Sequence, residues 1–191
     1  MRLFVAVTPP APVLAAVAEA ATAARAAAAE EHEDLRWVDP ACWHITLAFL
    51  GEVPDRRLAP LRARLDRVAR RYRPLSVSLA GADAFRGRLL WLGVVGERDR
   101  LRRLAWSVAA AARREGVEVP DRPFHPHLTL ARARGRDRSC PPQLGAALAD
   151  FAGEPWLIER ISLIRSHLVP SHLGLGPRYE PVGDWPLSGK R

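Results

Sequence analysis

A four-position unit, His-x-Thr-x with aliphatic residues at the open positions, occurs twice in this chain. The copies are His44-Ile45-Thr46-Leu47 and His127-Leu128-Thr129-Leu130. On a β-strand successive side chains point to opposite faces. Each copy therefore reads as a strand with its histidine and threonine on one face and its two aliphatic residues on a core behind them. Two such strands set side by side gather two imidazoles and two hydroxyls around one small space. A single histidine on a strand is usually structural, but chance does not readily repeat both fixed residue types at one spacing. The copies start 83 residues apart, at 44 and 127, which is too long for a solenoid repeat.

The surrounding pattern fits two related lobes. Met1 to Val7 reads as a first strand, without the apolar core and cleavage site of a signal peptide. An alanine-rich helix is expected from Pro9 to about Glu30, then an acidic loop, the extended piece Arg36-Trp37-Val38, and a motif strand from 43 to 50 closed by Gly51. A second helix spans Pro54 to Tyr72, with Leu58, Leu61, Leu65 and Val68 as its buried stripe and arginines outside. Strands at 75–85 and 89–95 form a hairpin around Arg86-Gly87-Arg88. A third helix, from Glu97 to Glu115, ends at Gly116. The second motif strand follows a proline-rich approach. After a basic loop from Arg134 to Pro142 come a short helix near Gln143 to Asp150 and strands at 156–167 and 179–185. The fold class expected is α+β: one domain over 1–191, bilobal, with antiparallel sheets, outer helices and both motif strands facing a shared cleft.

Composition excludes several classes. Apolar content of 48% over 191 residues supports a real core, and no apolar run approaches the ~20 residues of a membrane span. Cys42 and Cys140 have neither disulfide-framework nor metal-site spacing, so a reduced, cytoplasmic protein is the simplest reading. Nothing demands more than a monomer. The net charge is +8, and of 29 basic residues all but Lys190 are arginine. That balance favours anionic partners, although a compositional taste for Ala, Arg, Pro and Gly produces the same excess. The arginines of the second helix read either as a nucleic-acid stripe or as a solvated face.

The paired residue types have a chemical reason. Phosphodiester hydrolysis needs a base for the attacking water and an acid for the departing alkoxide. Imidazole, with an ordinary pKa of about 6.5, serves as either. Threonine hydroxyls donate to the non-bridging oxygens, where charge must be held in the transition state. Arg132 follows His127 by five positions, so strict alternation puts it on the opposite face. It reaches the site only if the strand twists or ends there; its guanidinium then clamps phosphate. A metal site is the rival use of His44, His125 and His127. Against it, neither motif contains an acidic residue, Pro126 bends the backbone between His125 and His127, and threonine is not a usual zinc ligand. His32, His167 and His172 read as structural or solvated, and His125 as a supporting residue at most. Trp37, Trp43 and Trp91 either stack bases in a purely RNA-binding module or pack in the core.

With these motifs the chain resembles the two-histidine (2H) phosphoesterase superfamily. Within it, the resemblance is to the RNA 2′,3′-cyclic phosphodiesterases, also described as 2′-5′ RNA ligases. Beyond the motifs it rests on Arg2-Leu3-Phe4-Val5-Ala6-Val7, Arg36-Trp37-Val38, Phe49-Leu50-Gly51, Arg122-Pro123-Phe124, Pro126, Ala131-Arg132, Ser166 and Gly176-Pro177-x-Tyr179. It implies a bilobal, pseudo-twofold fold and metal-independent, cofactor-free hydrolysis of RNA-terminal or small-nucleotide 2′,3′-cyclic phosphates to 2′-phosphates. By motif position, His44 is the implied proton donor and His127 the implied proton acceptor. Thr46, Thr129 and Arg132 are implied to bind phosphate. Ligation or cleavage of 2′-5′ linkages is the alternative activity for the same residues. Cys42 stands where the family more often has a polar residue.

Overall fold

In the computed structural model, which describes residues 1–27, 35–85, 87–134, 140, 142–167 and 177–189, the apolar alternation becomes nine strands and the helical stripes become four helices. The strands are β1 (Arg2–Val7), β2 (Leu35–Trp37), β3 (Ile45–Glu52), β4 (Leu75–Phe85), β5 (Leu89–Gly96), β6 (His127–Ala133), β7 (Trp156–Ile158), β8 (Arg160–His167) and β9 (Arg178–Pro186). The helices are α1 (Ala11–Ala27), α2 (Asp55–Ala69), α3 (Arg98–Arg114) and α4 (Pro142–Ala147). His32, His172, Arg86, Arg136 and Arg138 lie outside the described residues. No described helix is long and apolar enough to cross a membrane.

All strands join one curled antiparallel sheet in the order β7-β4-β5-β6-β3-β1-β8-β9, with β2 also pairing β6. The two motif strands, β6 and β3, are the central neighbours. Outward from them stand β5 and β1, then β4 and β8, then β7 and β9, so the sheet consists of two four-stranded halves meeting at the motifs. The α+β class read from the sequence is the fold observed. Leu61, Leu65 and Val68 of α2 and Leu101, Leu104 and Val108 of α3 are buried in the main core with Ile45, Leu92, Leu128 and Leu130. Burying each such side chain contributes about 1.5–3 kcal/mol. The helices cover this face, and the opposite, concave face carries the motif polar groups.

Two sequence expectations change. Gly51 does not close β3; the strand runs on to Glu52, with Gly51 at φ +62° where β1 pairs Leu3 with Gly51 and Phe4 with Phe49, skipping Leu50. That left-handed backbone at a bulge suits glycine, which has no Cβ to clash. The single strand expected at 156–167 is two strands: β7 pairs β4, whereas β8 lies between β1 and β9. Adjacent exposed residues Glu159 and Arg160 interrupt the alternation where the chain crosses between the halves.

Candidate active site

Ile45 and Leu128 face each other across β3 and β6, both fully buried. Continuing this antiparallel register by one residue each way sets His44 across from Thr129 and Thr46 across from His127. All four side chains are half-buried and share the concave face. The approximate twofold axis of the site thus passes near the Ile45–Leu128 pair.

Each imidazole is oriented by a main-chain carbonyl two residues upstream. Nδ1 of His44 lies 2.8 Å from the Cys42 oxygen, and Nδ1 of His127 lies 2.7 Å from the His125 oxygen. A carbonyl only accepts, so Nδ1 carries the proton in both rings and Nε2 is the atom left to exchange one. Upstream of His44, the carbonyl is set by the 3-10 turn Pro40–Cys42, whose Asp39 side chain accepts from the Ala41 amide at 2.9 Å. Trp43, only 4% exposed, anchors that turn in the core. His125 has a backbone counterpart in the first motif: its carbonyl matches that of Cys42, and the identity of either side chain is immaterial to this bond. Nε2 of His44 is 3.0 Å from Oγ1 of Thr46, so the threonine hydroxyl donates to the neutral ring.

Arg132 is brought to the concave face by a β-bulge. β5 pairs Trp91 with Thr129 and Leu90 with Ala131, skipping Leu130. Leu130 and Ala131, successive residues, are both fully buried; the inserted residue reverses the alternation, and Arg132 returns to the side of His127 and Thr129. The same irregularity occurs in β3, where β1 pairs Ala6 with Thr46 and Val5 with Ala48, skipping Leu47. The side chain delivered there is Phe49, 62% exposed. Each motif strand thus presents three groups, at His44, Thr46 and Phe49 and at His127, Thr129 and Arg132.

Aromatic rings complete the walls. Phe4 lies 4.8 Å from the His44 ring centroid and Tyr179 lies 5.3 Å from it edge-on, while Trp91 stands 5.8 Å from His127. Phe4, Ala6, Ile164 and Tyr179 form a small apolar cluster separate from the main core. Burial pushes the His44 pKa down, opposed by its bond to the Cys42 carbonyl and reinforced by the charges of Arg132 and His127. Burial likewise lowers the pKa of His127, opposed by the His125 carbonyl and reinforced by Arg132 and His125. Arg132 therefore acts electrostatically on both rings.

The other histidine and tryptophan candidates resolve differently. His167 pairs with Glu180 at 2.7 Å on β8 and β9. Trp43 is core, and Trp37 packs against the core with the Arg25 guanidinium 4.7 Å from its ring centroid. Of the three tryptophans weighed for base stacking, Trp91 faces the site. Among the described residues no three His, Cys, Asp or Glu side chains stand close enough to hold a metal ion. Simple alternation does not find Phe49, because its face depends on the bulge. Tyr179 is 135 residues from His44 in sequence and carries no local signal of their contact.

Residues 9–170 match the model of the 2′-5′ RNA ligase superfamily. An RNA 2′,3′-cyclic phosphodiesterase of Thermus thermophilus is 34% identical over 100% of this chain and 92% of its own length. One of Geobacillus stearothermophilus is 34% identical over 80% of this chain; the match spans about half of that protein, 48% of its length. The crystal structure of E. coli LigT complexed with 3′-AMP superposes with a TM-score of 0.76 at 28% identity, covering 98% of each chain. The match to the family model spans most of the sequence, and this chain belongs to the 2′-5′ RNA ligase superfamily.

Proposed function

We propose that this chain hydrolyses the 2′,3′-cyclic phosphate at an RNA end or on a small nucleotide, leaving a 2′-phosphate. The observation that carries the reading is the pair of imidazoles, each fixed through Nδ1 to a carbonyl and each presenting Nε2 to the same concave site. Relatives named for this activity, and a nucleotide-bound neighbour of the same fold, support it. The two related halves act as one domain, because neither half alone supplies both histidines.

In the proposed reaction Nε2 of His127 takes a proton from water as its oxygen attacks phosphorus. The bond from phosphorus to the 3′ oxygen breaks, and His44, which enters the step as the imidazolium, delivers its Nε2 proton to that oxygen. The product keeps the phosphate on the 2′ oxygen. Thr46 and Thr129 donate to the non-bridging oxygens, and Arg132 neutralises charge on the phosphate. Thr46 exchanges its bond to His44 for one to phosphate when substrate enters. These side chains supply both proton transfers and the charge stabilisation, so the reaction needs no metal.

The test is product analysis on an RNA ending in 2′,3′-cyclic phosphate, with excess chelator, with and without a 5′-hydroxyl acceptor. A 2′-phosphate product formed at an unchanged rate in chelator is expected. A joined 2′-5′ product in place of hydrolysis would make ligation the activity. Binding without turnover would reduce the protein to an RNA-binding module.

A further inference from the structure

β2 lies beside β6 so that Arg36 stands directly opposite Arg132. Both side chains are exposed and share the concave face, because opposed residues of a ladder point the same way. Their Cβ atoms are then about 4.5–5.5 Å apart, and like charges so placed repel. Among the described residues no carboxylate pairs with either. A third cation belongs to the same neighbourhood: the charges of Arg132, Arg36 and Arg2 all act on Tyr179. Two guanidiniums set on one rung, with no carboxylate among the described residues paired to either, are arranged for an anion from outside.

The position of this pair gives the anion its identity. Arg132 is three residues beyond Thr129, so the Arg36–Arg132 rung lies at most roughly 10 Å further along β6, at about 3.3 Å per residue. From that rung the charge of Arg132 acts on both histidine rings, whereas Arg36 is not among the charges that act on either, so Arg36 is left for a second anion. The two ends of the site also differ in kind. β3 and β6 run antiparallel, so Phe49 marks one end, beyond the Thr46–His127 rung. Arg132 and Arg36 mark the other, beyond the His44–Thr129 rung. A nucleoside 2′,3′-cyclic phosphate is polar in the same sense: viewed from its cyclic phosphate, the base lies toward the 2′ side and the 5′ carbon toward the 3′ side. The exposed aromatic ring suits the base and the arginines suit a phosphate on the 5′ oxygen.

We propose that Arg36, with Arg132 bridging toward the cyclic phosphate, forms a second phosphate subsite for the group on the 5′ oxygen of the terminal nucleotide. In RNA that group is the internucleotide phosphodiester; in a mononucleotide it is a 5′-phosphate. The inference rests on the cyclic-phosphate reading above and adds a preference for substrates bearing a second phosphate.

Three substrates test it: adenosine 2′,3′-cyclic phosphate, the same compound with a 5′-phosphate, and a dinucleotide ending in 2′,3′-cyclic phosphate. For the unaltered chain kcat/KM is expected to be about ten- to a hundredfold higher for the phosphate-bearing substrates, the worth of one charge-assisted phosphate contact. Arg36→Gln should collapse that ratio toward one, and Arg36→Lys should keep part of it. The salt dependence of kcat/KM on the dinucleotide should fall in Arg36→Gln by about 0.7 in logarithmic slope. Preference for the dinucleotide alone assigns the subsite to the phosphodiester; preference for the 5′-phosphate alone assigns it to the monoester. An unaltered chain with no preference, or an Arg36→Gln variant that keeps the full ratio, overturns the subsite while leaving the cyclic-phosphate reading intact. No turnover of any of the three would instead sink that reading, and the subsite with it.

Discussion

Alanine at either motif histidine should give different pH profiles, and the difference tests which ring does what. In the proposed reaction His127 must be neutral and His44 protonated, so kcat/KM rises with pH as His127 loses its proton and falls as His44 does. Burial and Arg132 hold both rings below their ordinary 6.5, so the bell of the free protein should be centred on the acid side of that value. Removing one proton transfer costs about 10²- to 10⁴-fold, or about 2.7–5.4 kcal/mol of transition-state stabilisation at 1.36 kcal/mol per decade. His44→Ala should lose the descending limb, because no acid remains to be deprotonated, and its deficit should narrow toward alkaline pH. His127→Ala should lose the ascending limb, and its deficit should narrow toward acid pH. The assay is kcat/KM on adenosine 2′,3′-cyclic phosphate from about pH 4.5 to about 8.5, a window of about two units around the ordinary histidine value. Limbs lost in the opposite order would exchange the two roles. A loss below about tenfold at every pH in both variants would refute histidine acid–base catalysis here.

Other substitutions probe the parts around the rings. Arg132→Gln removes a cation that disfavours both imidazolium forms, so both histidine pKa values should rise; NMR titration of the ring resonances measures this, and unchanged or lower values contradict the placement of Arg132. Thr46→Val deletes the hydroxyl 3.0 Å from His44 Nε2 and one donor to phosphate. If Thr46 is the phosphate donor proposed above, kcat should fall on the order of 10²-fold, with Thr46→Ser recovering most of it. Leu128→Ala empties a fully buried position on the rung that sets the register of the two motifs. It should cost about 2–5 kcal/mol and lower Tm by about 4–20 °C, as calorimetry would show.

The division between what sequence reveals here and what it hides follows the range of the interactions. The faces of His44, Thr46, His127 and Thr129 depend on strand alternation, a property of adjacent residues, and they are legible. So are the buried stripes of α2 and α3. The face of Arg132 is not legible, because alternation is broken by an extra residue that is defined only by the partner strand: β5 skips Leu130, and nothing in Leu130 itself announces it. Phe49 is hidden for the same reason. The break between β7 and β8 is set by two exposed residues whose significance appears only once the strands join different halves. The carbonyl of His125 is legible in neither sense, since a backbone acceptor has no residue type.

Backbone symmetry and side-chain asymmetry together bear on why one ring should be acid and the other base. The two imidazoles have equivalent carbonyl bonds, equivalent bulges and pKa values displaced in the same direction, so the direction of those shifts does not assign the roles. In the proposed reaction what separates them is which oxygen each meets. With the base at the Phe49 end and the 5′ carbon at the arginine end, the 3′ oxygen lies on the side of the His44–Thr129 rung and the attacking water opposite it, on the side of His127. In the proposed reaction His44 then protonates the 3′ oxygen, and the expected product is the 2′-phosphate. On this proposal the order of acid and base follows from Phe49 and Arg132 occupying matched positions with unlike chemistry. Replacing Phe49 by Ala and Arg36 by Gln together should therefore weaken the orientation more than the chemistry. The expected result is an increased share of 3′-phosphate among the products, measured by chromatography against both standards. A product that stays wholly 2′-phosphate as kcat/KM falls would place the orienting contacts elsewhere in the site.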